Sequence, residues 1–134
     1  MAESLSPQYY SAKLIDYFER PRNAGAMPDA HVDTSVTNPV CGDSMRLFLR
    51  IADGLIERAS FLSSGCPAAI ATSSIATEMI TGLTLEQAER LTRDDYTQAV
   101  GGLPASKMHC SVLAAAAVRN AIAAWRARPA GGAG

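Results

Sequence analysis

The fold is decided by residues 44–54, which have the sequence SMRLFLRIADG. Apolar side chains occupy every second position from 45 to 51, and arginines stand between them at positions 46 and 50. This period of two is typical of a half-buried β-strand. Asp53-Gly54 is a hairpin-turn signal, so we expect a second, antiparallel strand over residues 55–63. A further short strand is expected over residues 32–36.

Helical patterns lie on both sides of these strands. We expect a first helix that begins at Ser6-Pro7 and stops at Pro21, and a second that follows Gly65. Shorter helical segments are expected after Thr84 and over residues 92–99. A long last helix should run over residues 107–128. Helix, strands and then helices indicate an α+β fold, with a small antiparallel sheet of about three strands packed against several helices.

Size and composition restrict the protein's class. The 134 residues suit one domain, and we expect an ordered core at about 8–128 with a flexible tail at 129–134. The net charge of −1 predicts no nucleic-acid partner, and no apolar stretch is long enough to predict a membrane span. With no secretory signal pattern and three cysteines, an odd number, we expect a reducing, cytoplasmic location.

The three cysteines are placed at predicted element boundaries. Cys41 precedes the first hairpin strand, Cys66 lies between a strand and a helix, and Cys110 falls in the first turn of the last helix. Helix N-termini favour the thiolate form. Ser106 is a candidate N-cap for the last helix, and Lys107 adds a positive charge beside Cys110.

Asp43 and His109 are candidate further ligands because each lies next to a cysteine segment. Taken singly, a cysteine is most often a small buried apolar residue, Asp43 suits a turn and His109 suits a helix surface. We interpret His31, far from any cysteine in the chain, as solvated. No C-x-x-C pair is present, which disfavours a zinc finger, a thioredoxin-like redox pair and a bacterial ferredoxin. Three thiols with a mixed fourth ligand suit a centre that is held and then released.

These segments give the chain a family resemblance. They include YSAK at 10–13, RPRNAG at 20–25, CGDSM at 41–45, GCPAAIATSS at 65–74 and GLPASKMHCSVL at 102–113. In this order the chain resembles the U-type iron–sulfur cluster assembly scaffolds, the NifU/IscU family, over about residues 8–128. The KMHCSV form is more similar to the N-terminal domain of NifU than to IscU.

The resemblance implies a scaffold or carrier that is not itself an enzyme. It would accept persulfide sulfur from a pyridoxal-phosphate cysteine desulfurase, assemble a transient 2Fe–2S cluster with iron and transfer it to apo-proteins. An electron donor such as a ferredoxin, and an iron donor, would assist. Zinc can occupy the site when no cluster is present, and the protein would be a monomer or a weak homodimer.

The resemblance also implies roles for single residues. Cluster or metal ligands would be Cys41, Cys66 and Cys110, completed by Asp43 or His109. Cys110 corresponds to the persulfide acceptor, Asp43 to the carboxylate that keeps the cluster labile, and Lys107 to a lysine near the site.

Two departures from the family pattern matter. Pro67 stands where the family usually has glycine, which is tolerable if position 67 opens a helix. The chaperone-recognition sequence LPPVK is LPASK at 103–107, so we do not expect the dedicated Hsp70-type chaperone to be recruited there.

Three other hypotheses stay open. One is a zinc-bound persulfide relay that builds no cluster, although the insertion typical of the zinc-dependent SufU branch is absent. Another is a structural or adaptor domain stabilised by zinc. The third is a Cys–His hydrolase, which is disfavoured because we expect the adjacent His109 and Cys110 side chains to point apart.

Overall fold

A computed structural model of the protein describes residues 10–39 and 42–128. Within them lie three strands and five α-helices: β1 (Val32–Thr37), β2 (Ser44–Ala52), β3 (Leu55–Ser64), α1 (Ala12–Glu19), α2 (Pro67–Ile80), α3 (Leu85–Glu89), α4 (Arg93–Ala99) and α5 (His109–Arg126). The predicted α+β class, three-stranded antiparallel sheet and long C-terminal helix are confirmed. The predicted helix start at Ser6-Pro7 and the tail at 129–134 lie outside the described residues.

The sheet has the order β1-β2-β3 and is antiparallel throughout. The predicted core face of β2 is confirmed, because Met45, Leu47 and Leu49 are fully buried and Ile51 nearly so. The alternation is interrupted by Phe48, which lies on the opposite face and is also buried. Helix α5 packs against β1 and β2, whereas α2 packs against β3. The sheet is therefore covered on one face by two helices, whose N-terminal ends carry the cysteine segments.

Within the described residues the first helix is α1, which begins at Ala12. Ser11 is its N-cap, and the Ser11 hydroxyl accepts a hydrogen bond from the Leu14 N–H at 3.0 Å. That hydroxyl also donates to the carbonyl oxygen of Val100. A side-chain oxygen at the N-cap satisfies one of the unpaired donors of the first turn, which explains the start at Ala12.

The last helix begins later than predicted, and Ser106 is not its N-cap. Residues 105–107 form a 3₁₀ turn, in which the Lys107 N–H donates to the Pro104 carbonyl oxygen at 2.8 Å. The α-helical turns start only at His109. This tighter turn delays α5 by two residues but still leaves Cys110 in the first turn, as expected.

A buried serine ties the start of α5 to α4. The Ser111 hydroxyl donates to the Met108 carbonyl oxygen at 2.9 Å and accepts from the Thr97 hydroxyl at 2.8 Å. Ser111 is fully buried, and buried polar groups of this kind are costly to leave unpaired. The contact therefore fixes the turn that carries His109 and Cys110.

In the part of the chain that is described, no helix combines the length and apolarity needed to cross a membrane.

The interpretation of His31 as a solvated loop residue is wrong. His31 is half-buried, and its Nδ1 accepts a hydrogen bond from the Ile51 N–H at 2.9 Å. Its ring centroid lies 5.6 Å from that of Trp125. The reason is the register: Val32 pairs with Leu49, which brings residue 31 beside the end of β2.

Candidate metal centre

Four of the five predicted ligands meet at one end of the sheet. The ligand atoms of Asp43, His109 and Cys110 all lie within 4.8 Å of one another. The Cys66 Sγ lies 4.0 Å from the Cys110 Sγ. The fifth predicted ligand, Cys41, lies outside the described residues. Side chains from the start of β2, the start of α2 and the first turn of α5 thus share one small volume.

Asp43 is held by backbone contacts on its own loop. The Asn38 N–H donates to the Asp43 carbonyl oxygen, and the Gly42 N–H donates to the Asn38 carbonyl oxygen, each at 2.8 Å. The residue is 8% exposed. One carboxylate oxygen, Oδ2, lies 3.2 Å from His109 Nε2. The loop therefore aims a largely buried carboxylate at the imidazole.

Gly65 makes room for that carboxylate. A Cβ atom at position 65 would lie 2.6 Å from Asp43 Oδ1 and 2.7 Å from Asp43 Cγ. The contact follows from strand pairing, because Ser44 is paired with Ser64, so the residues just beyond them are neighbours. The sequence gives no indication of a link between Gly65 and Asp43, since that link depends on the register.

Cys66 is the N-cap of α2, and Pro67 is the first residue of that helix. Both expectations are confirmed, and the proline where the family usually has glycine is accommodated because the first turn needs no N–H donor there. The pKa of the Cys66 thiol lies below its ordinary value. The Cys110 thiol that donates to it is the main cause, and the Ala69 N–H and the Lys107 charge assist.

The pKa of the Cys110 thiol is shifted in the opposite direction from that of Cys66. The pKa of its thiol is raised, first because its hydrogen bond to Cys66 is lost on ionisation and then because the group is buried. The charges of Cys66 and Asp43 act in the same direction. In the metal-free site one thiol of the pair therefore ionises readily while the second holds its proton, until a cation compensates the charge.

The expectation that the His109 and Cys110 side chains point apart is wrong. Their ligand atoms are within 4.8 Å of each other, although the residues are neighbours in the chain. The first turn of α5 faces the loop before β2, so both side chains reach toward Asp43. The polar contact of the imidazole Nε2 is with Asp43. This arrangement suits a ligand cluster better than a thiol nucleophile with a histidine base.

The chemistry of the donor set is that of a soft or borderline metal. Thiolate and imidazole are the usual ligands of zinc and of iron in protein sites, and a carboxylate is a harder, weaker ligand for them. In a bound metal site the thiols and the imidazole would supply most of the affinity, and the Asp43 carboxylate would be the more easily displaced ligand.

Comparison with known proteins identifies the family of this chain. The family model described as the NifU-like N terminal domain matches residues 9–131. The iron–sulfur cluster assembly scaffold protein IscU 1 of Archaeoglobus fulgidus is 53% identical over 113 residues, which are 84% of this chain and 74% of that protein. IscU of Escherichia coli K12 is 40% identical over 123 residues, covering 89% of this chain and 95% of that protein.

Solved structures have the same fold at low sequence identity. A SUF-system protein, FiSufU, of Fervidobacterium islandicum AW-1 has a TM-score of 0.73 at 20% identity, over 87% of this chain and 98% of that one. A NifU-like N-terminal protein of Brucella abortus has a TM-score of 0.72 at 16% identity, over 94% of this chain and 100% of that one. With a family match over nearly the whole chain and more than half of the aligned residues shared with the Archaeoglobus protein, this chain belongs to the NifU-like N-terminal domain family.

Proposed function

We propose that this protein is an iron–sulfur cluster assembly scaffold. It accepts persulfide sulfur from a cysteine desulfurase, assembles a transient 2Fe–2S cluster with iron and passes it to apo-proteins, with no turnover of its own. The observation that carries the proposal is the convergence of Asp43, Cys66, His109 and Cys110 at one end of the sheet. Its similarity to iron–sulfur cluster assembly scaffold proteins of the IscU type supports it.

The ligand roles follow from donor chemistry. Cys66 and Cys110, with Cys41, are the proposed thiolate ligands, and Asp43 or His109 completes the set. Asp43 is our choice for the ligand that makes release easy, because a carboxylate binds cluster iron more weakly than a thiolate does. His109 Nε2, 3.2 Å from the Asp43 carboxylate, is within reach to hold that carboxylate or replace it.

Cys110 is the proposed persulfide acceptor. It is only 2% exposed, whereas Cys66 and Lys107 beside it are partly exposed. We therefore expect the donor to approach Cys110 along the side of the site on which Cys66 and Lys107 lie. The Lys107 charge favours the ionised form of both thiols, although the hydrogen bond to Cys66 and burial keep the pKa of Cys110 raised. Lys107 would therefore stabilise the anionic sulfur species that such a transfer produces.

Anaerobic reconstitution tests the scaffold role. Purified protein is incubated with a cysteine desulfurase, cysteine and ferrous iron, and a visible absorption band with acid-labile sulfide should appear. Cys66→Ala should abolish it, whereas Asp43→Ala should retain the cluster and pass it more slowly to an apo-ferredoxin. Asp94→Ala, at an exposed position in α4, is the matched control and should behave as wild type. A cluster that forms equally well in Cys66→Ala would refute the proposal.

A zinc-bound persulfide relay is the second candidate. Two thiolates, an imidazole and a carboxylate are a complete tetrahedral zinc set. The ligand atoms of Asp43, His109 and Cys110 lie within 4.8 Å of one another, and Cys66, 4.0 Å from Cys110, is the nearest candidate for the fourth ligand. Metal and acid-labile sulfide analysis of anaerobically purified protein separates the two candidates. Iron with matching sulfide supports the scaffold, whereas zinc that is retained during sulfur transfer supports the relay. Thermal unfolding after chelation tests the third hypothesis, in which zinc only stabilises the fold.

A further inference from the structure

Two thiols in the site touch each other without being bonded. The Sγ atoms of Cys66 and Cys110 are 4.0 Å apart, whereas a disulfide bond is about 2.05 Å long. One thiol belongs to the N-cap of α2 and the other to the first turn of α5, and these two helices pack against each other. The approach is therefore set by two regular elements, and rotation about the Cα–Cβ bonds can shorten it.

Cys66 differs from every other described side chain that approaches Cys110. The charged and metal-ligating groups near it are a carboxylate, an imidazole and an ammonium group, from Asp43, His109 and Lys107. None of these attacks divalent sulfur as a thiolate does. Thiols in solution are hindered because Cys110 is 2% exposed. A sulfur nucleophile for this residue is thus already present inside the site.

We propose that Cys66 is the resolving thiol for a persulfide carried by Cys110, so that sulfide is released within the site and a Cys66–Cys110 disulfide is left behind. The inference rests on the proposed function, because it takes Cys110 as the sulfur acceptor. Cys66 then has two roles, because it binds metal as a ligand and also supplies electrons for the reduction of the transferred sulfur.

The step is balanced without any outside reductant. The Cys66 thiolate attacks the Sγ of the Cys110 persulfide, and the bond between the two Sγ atoms forms as the bond from Cys110 Sγ to the terminal sulfur breaks. The terminal sulfur leaves with the electron pair of that bond as hydrosulfide. The transferred sulfur is reduced to sulfide while the two cysteines are oxidised to a disulfide. A dithiol reductant restores the thiols in a separate reaction.

The position of the product is useful for assembly. Sulfide would be released next to Asp43 and His109, the residues proposed to bind iron, instead of in bulk solution. The two cysteines can reduce only one sulfur atom before they must themselves be reduced, so release is limited to one sulfide per chain for each cycle.

The test uses full-length, metal-free protein in the Cys41→Ser background, where Cys66 and Cys110 are the only thiols of the chain's original three. The protein is loaded anaerobically with sodium polysulfide and desalted, and is then followed by intact and peptide mass spectrometry with a sulfide assay. Cys41→Ser/Cys66→Ser and Cys41→Ser/Cys66→Ala are the comparison proteins. Circular dichroism verifies that each variant is folded.

We expect the Cys41→Ser protein to lose the added sulfur, release one sulfide and gain the Cys66–Cys110 disulfide. The Cys110 persulfide should last at least about tenfold longer in both Cys66 variants, because they lack the intramolecular nucleophile. Equal persulfide lifetimes would overturn the inference, and so would transfer of the added sulfur to Cys66 without a disulfide.

The proposed function fails in a different way. If Cys110 takes up no sulfur in any variant, both its acceptor role and this inference are refuted. Cluster formation from iron and free sulfide in the wild-type protein then reports on the scaffold role separately. If the protein assembles clusters but its Cys110 persulfide has the same lifetime with and without Cys66, only the resolving role is refuted.

Discussion

Replacement of Gly65 by alanine should disable the metal site through Asp43. A Cβ at this position would lie 2.6 Å from Asp43 Oδ1, and ordinary contact begins at 3.4 Å. The carboxylate must therefore retreat by about 0.8 Å. The Asp43 Oδ2 contact with His109 Nε2 is 3.2 Å in the structure, so a shift of that size away from His109 takes it to about 4 Å, beyond hydrogen-bonding range.

Gly65→Ala is expected to lower both the stability of the fold and the affinity for metal. Overpacking of this kind costs about 1–3 kcal/mol of stability. Loss of a supporting ligand contact typically weakens metal binding by about 10- to 100-fold, which corresponds to about 1.4–2.7 kcal/mol. The assay is titration of the metal-free protein with cobalt(II) or zinc(II) against a chromophoric chelator, with urea unfolding measured in parallel.

Gly25→Ala is the matched control. Both glycines have positive φ, +153° at Gly65 and +131° at Gly25, but nothing lies within 4 Å of a Cβ at Gly25. The control therefore reports backbone strain alone and should bind metal as wild type does. In an Asp43→Ala background, Gly65→Ala should weaken binding little further, because the group it displaces is absent. Wild-type metal affinity in Gly65→Ala would refute the reasoning.

Three further predictions concern stability. His31→Ala should lower the free energy of unfolding by about 1 kcal/mol, because the Ile51 N–H loses its acceptor; unchanged urea unfolding would contradict this. Ser111→Ala should cost about 1–2 kcal/mol by removing a buried, paired hydroxyl, and an unaltered thermal midpoint would count against it. Hydrogen bonds from Arg46 lower the pKa of Asp33 in the folded protein. The stability that this ion pair contributes is therefore fully present above the pKa of the carboxyl in the unfolded chain, and it is lost as the pH falls through the lower pKa of the folded state. The stability advantage of wild type over Asp33→Asn should shrink below about pH 4, and an advantage independent of pH would exclude this linkage.

Local sequence patterns predicted the class of the fold and the residues of the candidate site. Alternation in β2 predicted a half-buried strand, and Met45, Leu47 and Leu49 are all fully buried. Cys66 beside Pro67 predicted a thiol at a helix start, and the structure has it at the N-cap of α2. Such features depend on residues close together in the chain, so the sequence alone contains them.

Contacts between segments that are distant in the chain could not be predicted from these local patterns. His31 was predicted to be solvated because nothing near it in the chain indicates a partner, yet β1 pairing brings it to Ile51 and Trp125. The side chains of His109 and Cys110 were expected to diverge, but the packing of α5 at the end of the sheet turns both toward Asp43.

The position of Asp43 shows most directly what only the tertiary structure decided. The predicted turn at Asp53-Gly54 is present, and it pairs Ala52 with Leu55. A hairpin continued from there without irregularity would set Gly65 level with Gly42. A shift of one residue between Arg50 and Ile51 changes the pairing, so that Ser44 is opposite Ser64 and Asp43 is level with Gly65. One extra residue in a strand reverses which side chains face a given side. The sequence by itself determined which residues could bind a metal, and this irregularity in strand pairing, together with helix packing, decided which of them meet.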